Sequence, residues 1–90
     1  MSEPISATAG NREPGLPCTF DGRVLELWNS PSDRYLASQL TLQKRKDDKD
    51  GGVTLLIMPS GTRIELYFAP SEVANMEKLL AALIAAGMQQ

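Results

Sequence analysis

Apolar and polar residues follow two rhythms along this chain: a two-residue alternation through its middle and a three-to-four-residue spacing at its end. Over 23–28, Leu25 and Leu27 alternate with Val24, Glu26 and Trp28, the pattern of a strand with one face on a core. Asp21-Gly22 ahead of it reads as a turn, and Asn29-Ser30-Pro31-Ser32-Asp33 breaks the strand behind it. Over 35–46, Leu36, Ser38, Leu40 and Leu42 alternate with Ala37, Gln39, Thr41 and Gln43, which favours a half-buried strand. A helix is the alternative there, capped by Ser30-Pro31-Ser32-Asp33 and ending on Lys44-Arg45-Lys46. Its apolar stripe would hold little beyond Leu36 and Leu40.

The run over 53–58 is β-rich and almost wholly apolar, as suits a central strand. After a turn at Pro59-Ser60-Gly61-Thr62, Ile64, Leu66 and Phe68 face inward while Arg63, Glu65 and Tyr67 face outward. The longer spacing then takes over. Val73, Met76, Leu79, Leu80, Leu83 and Ile84 recur at the intervals of one helix face, with Ser71 as the cap and Gly87 as the stop. Residues 1–17 carry Pro4, Pro14 and Pro17, with only Ile5 and Leu16 as sizeable apolar side chains. They read as a flexible tail, because so little apolar area does not offset the entropy of ordering.

The elements add up to an α+β fold. About four antiparallel strands form a meander, one amphipathic C-terminal helix covers one face, and a single small domain spans 18–90. Ninety residues hold one domain. The one cysteine, Cys18, permits no internal disulfide, and the absence of histidine leaves it no partners for a Cys/His zinc site. Stability therefore rests on apolar burial.

Charge narrows the partners. Nine basic against eleven acidic residues give a net charge of −2, which argues against a sequence-independent grip on nucleic acid and against a polybasic membrane contact. No apolar run is long enough to span a bilayer, and residues 1–10 lack the pattern of a secretory signal, so a cytoplasmic location is expected.

Without histidine the usual general base is missing, and Ser–His–Asp or Cys–His catalysis is excluded. Asp47, Asp48 and Asp50 share a loop, but a calcium loop beginning at Asp48 would put Pro59 where its closing glutamate belongs. A solvated hairpin loop is the better reading. Gly51-Gly52 and Pro59-Ser60-Gly61 lead into strands rather than into a helix N-terminus, so neither is a phosphate loop. Cys18, at the edge of the expected tail, reads as a bystander. No enzyme activity, cofactor or metal is expected.

Two surfaces remain. If Leu25, Leu27, Ile64, Leu66 and Phe68 face the helix, then Val24, Trp28, Arg63 and Tyr67 share the uncovered sheet face, and residues of these types are enriched at interface hot spots. The chain is accordingly expected to be a non-catalytic binding or regulatory module acting through protein–protein contacts, with a second copy as the simplest partner. The alternative is a nucleic-acid-associated regulator using Lys44, Arg45, Lys46 and Lys49, whose charge is largely offset by the neighbouring aspartates.

Overall fold

A computed structural model of the chain describes residues 5–10, 15–28, 33–59 and 63–90. The expected turns at 29–32 and 60–62, and residues 1–4 and 11–14 of the expected tail, lie outside the described residues. Among the described residues seven strands and one α-helix follow in order: β1 (Ile5–Ala9), β2 (Leu16–Phe20), β3 (Val24–Leu27), β4 (Asp33–Leu36), β5 (Leu40–Asp47), β6 (Val53–Pro59), β7 (Ile64–Phe68) and α1 (Val73–Ala85). The first four form an antiparallel meander and the last three a second antiparallel sheet.

The α+β class, the four-stranded meander and the single C-terminal helix are those the sequence predicts. The membership of the sheet is not. Ile5–Ala9, read as tail, is β1, and it pairs with β2 from Ile5↔Phe20 to Ala9↔Leu16. Its inward residues, Ala7 and Ala9, are buried, and α1 packs chiefly across β1 and β2. Small side chains there let the helix approach closely, which is why the strand has a core role without a strong apolar signal.

The two sheets meet where β1 ends. Gly10 donates its N–H to the Tyr67 carbonyl (2.6 Å) and bridges Phe68 in parallel. A second parallel bridge closes the other side. Leu42 N–H donates to the Gln89 carbonyl (2.6 Å) and Gln89 N–H to the Leu40 carbonyl (3.0 Å), on the side of β5 away from β6. Gly87 makes this return possible: it follows the helix at φ 118°, and Met88 turns back into the core.

Between β4 and β5, Ala37–Gln39 forms one 3-10 turn, so the segment over 35–46 is extended at both ends rather than helical. The helix starts later than the Ser71 cap implies. Pro70–Glu72 form a 3-10 turn, and Glu72 occupies the cap position without capping by its side chain. Its carboxylate instead accepts the Thr8 backbone N–H (2.9 Å), fastening the helix start to β1. The core lies between helix and sheets, around Phe20, Phe68, Leu40, Met76 and Leu83. Among the described residues no helix is long and apolar enough to cross a membrane.

Candidate protein-binding face

Four residues were expected on one face, and the second sheet divides them. Val24 and Trp28 lie outward on the first sheet; Tyr67 is on β7 of the second, and Arg63 is exposed just before it. The physical reason is the turn at Ala37–Gln39, which ends β4 in the first sheet and starts β5 in the second, so that β3 and β7 share no sheet. The outward direction of Val24 itself is as predicted: Leu25 and Leu27 are buried while Val24 and Glu26 are half-buried.

Trp28 is 51% exposed, the one large apolar side chain left so open among the described residues. It is also fixed. Its indole N–H donates to Thr19 Oγ1 (2.9 Å) and its backbone N–H to the Pro17 carbonyl (2.9 Å), both on β2. The ring stands beside a hollow of about 480 Å³ lined by Thr19, Asp21, Val24, Glu26, Trp28 and Arg34. Across β3 and β4 the register places Val24 opposite Leu36 and Glu26 opposite Arg34, with Arg34 Nε 3.3 Å from Glu26 Oε2. Asp21 closes the rim as part of the predicted turn. Its Oδ1 accepts the N–H groups of Val24 (2.8 Å) and Arg23 (2.9 Å), which hold the carboxyl below its ordinary pKa and keep it charged.

Thr19, Glu26, Arg34 and Leu36 complete this face, and sequence reasoning did not single them out. A signal existed: paired positions 24/36 and 26/34 are symmetric about residue 30, which falls within the strand break. That break is legible as a hairpin only once 33–36 is recognised as the returning strand.

The second sheet's outer face is different. A β-bulge between Leu42 and Lys44 shifts the alternation, so Lys44 and Lys46 face outward beside Leu56 while Arg45 turns towards the helix. Arg45 bonds to Glu77 of α1 and lies 3.6 Å from Asp47. Lys49 sits in the loop beyond β5, so the four cations form no common surface. The hollow between Lys44, Lys46, Thr54, Leu56 and Glu65 measures about 160 Å³.

Tyr67 on this sheet is occupied. Its hydroxyl donates to the Asp50 carboxylate, which pushes the phenol's pKa up to about 12 and the carboxyl's down. Asp50 also accepts the Gly52 N–H (2.8 Å), and Asp48 accepts the Thr54 hydroxyl (2.8 Å), so these acids knit the loop between β5 and β6. Gly52 is confined: a Cβ there would stand 2.6 Å from the Phe68 carbonyl oxygen and 2.7 Å from the Tyr67 hydroxyl.

Cys18 lies inside the first sheet, fully buried, and not at the edge of a tail. Desolvation pushes its thiol up to about 12, which removes the thiolate that nucleophilic chemistry requires. Comparison with protein-family models, with curated proteins and with solved structures finds no match to this chain.

Proposed function

We propose that this chain is a small, non-catalytic binding module of the cytoplasm that acts through protein–protein contacts on the outer face of its first sheet. The observation that carries this reading is the pinned, half-exposed ring of Trp28 beside an open hollow. An aromatic side chain already held in place loses little freedom when a partner covers it, and Trp is the residue type most enriched at binding hot spots. Val24 and Leu36 add apolar area, and the Glu26–Arg34 pair supplies a polar rim. The cytoplasmic assignment is supported by a single, reduced and buried cysteine.

The nucleic-acid reading has less support, because the basic cluster is divided. Lys44 and Lys46 would offer two phosphate contacts, where strongly salt-dependent binders make roughly 6–10.

The test is site-specific photo-crosslinking in living cells. A photoreactive side chain at Val24 or Leu36 should give high-mass adducts, and one at Lys78, on the exposed side of α1, should not. Adducts from none of these positions, or equally from all of them, would reject the face.

A further inference from the structure

We infer that the partner for the Trp28 face is a second copy of this chain, docked face to face about a two-fold axis that runs parallel to the strands between β3 and β4. The inference rests on the reading of that face as the binding surface.

The register of β3 and β4 carries the argument. Directly opposed residues on one face of an antiparallel pair stand side by side, about 4.5–5.5 Å apart. The outward pairs here are Val24↔Leu36 and Glu26↔Arg34. A two-fold axis lying between two such strands exchanges the members of each pair. It sets Leu36 of the second copy over Val24 of the first, and Arg34 of the second copy over Glu26 of the first. The reciprocal contacts follow from the symmetry. Apolar meets apolar and cation meets anion, without any rearrangement of backbone. The two Trp28 rings lie at the same end, each leaning over its own β2 and so on opposite flanks of the overlap. This is aligned sheet-on-sheet packing, in which twist leaves strands about 30° apart and central residues closest.

Three observations favour this occupant. Arg34 keeps 72% of its side chain exposed while paired with Glu26, so it can reach an oppositely placed carboxylate. Val24 and Leu36 pair with each other, are half-buried and, among the described residues, stand outside the core cluster, so part of their apolar surface is open to a partner. The net charge of −2 imposes little repulsion between copies.

Area sets the strength. β4 is the edge of its sheet, so an axis between β3 and β4 lays only these two strands over their images. Two strands spaced about 4.8 Å, each four residues long at about 3.3 Å per residue, overlap over roughly 130 Å² per copy, or about 250 Å² for two copies, far below the ~1,200 Å² where stable interfaces begin. The dimer is therefore a weak one, formed only at high protein concentration.

Sedimentation equilibrium on the full chain tests the geometry by charge exchange. Wild type should associate measurably as its concentration approaches ~1 mM. Glu26→Arg presents two cations to its own copy and Arg34→Glu two anions, so each alone should associate more than ~10-fold more weakly. An equimolar mixture of the two variants should regain association at least as strong as wild type, because every cross-axis contact is then cation on anion. That recovery also shows that both variants are folded. A wild type that stays monomeric to ~1 mM, variants that associate like wild type, or a mixture that fails to associate would each overturn the inference. The photo-crosslinks separate the two levels. Adducts from Val24 at twice the chain mass support the second copy. Adducts of any other mass remove the second copy and leave the binding face standing. No adducts remove both.

Discussion

The outer faces of the two sheets contain similar ingredients and differ in how charge is distributed over them. On the first sheet, Val24, Leu36 and Trp28 surround one acid and one base at directly opposed positions. On the second, Leu56 lies between Lys44 and Glu65 of the neighbouring strands, with Lys46 on the same face and Tyr67 bonded to Asp50. A face with balanced, opposed charges can meet its own image. A face led by two cations repels its image and is kept apart, the use to which lysines on sheet surfaces are commonly put. Exposure of the aromatic ring follows the same division: Trp28 is pinned but open, while the hydroxyl of Tyr67 is used up in holding a loop.

The comparison presupposes that both faces stand on one rigid body, and cutting the joint between the sheets should have the largest effect. A chain that begins at Gly15 lacks β1, hence Ala7, Ala9, the Glu72–Thr8 bond and the Gly10 bridge. It should fail to fold by circular dichroism, since these losses together approach the ~5–15 kcal/mol that holds a small domain together. A folded, cooperatively melting product would mean that the two sheets are independent. Next in size is Leu80→Ala. Leu80 is buried in the helix stripe as part of the core cluster, so chemical denaturation should show a loss of about 2–5 kcal/mol.

At the faces themselves the expected effects diverge. Trp28→Glu should change stability by less than ~1 kcal/mol, as an open side chain does, and yet abolish self-association. Tyr67→Phe should do the reverse: association stays, while faster amide exchange at Gly52 reports a loosened loop. Lys44→Glu combined with Lys46→Glu should alter neither melting nor association. Wild type should show no salt-sensitive shift of DNA or RNA at physiological ionic strength for these substitutions to remove. A clear shift at micromolar protein would transfer the binding role to the second face.

The last effect appears only at high pH. Burial raises the Cys18 thiol from 9.0 to about 12, so the folded state holds its proton more tightly than the unfolded chain does. Stability from this group is complete below pH 9.0 and is lost as pH rises towards about 12. Melting temperature should decline over that window, and Cys18→Ala should lessen the decline. Thiol reagents should label Cys18 only as fast as the chain opens.

Much of the fold is legible in the pattern of residues. Alternation in 24–28 and 64–68 fixes which side chains face inward, because a strand has a period of two and one buried face. The helix stripe and the stop at Gly87 are equally plain. β1 is hidden for physical reasons. Its inward residues are alanines, whose burial signal is small, and Pro17 opposite Thr8 makes β2 look unlike an interior strand. Without β1 and β2 the chain reads as one sheet, and Val24, Trp28, Arg63 and Tyr67 then appear to be neighbours. The bulge at Gln43 is likewise silent in the sequence, and it sends Arg45 to Glu77 and leaves Lys44 and Lys46 outward. The binding face is legible at Trp28 and Val24. Glu26 shares it by the same alternation, whereas Arg34 and Leu36 join it only once 33–36 is recognised as the returning strand.

Trp28 is the only tryptophan in the chain, so its own fluorescence reports directly on whether this face becomes covered. Acrylamide quenching should be measured on the full chain from ~1 µM to ~1 mM, so that dilute and concentrated solutions are compared. The ring should be readily quenched in dilute solution, as its half-open position requires, and progressively protected with a blue-shifted emission as concentration rises. Quenching and emission that stay constant across the range, whether the ring is open or shielded throughout, would contradict the account.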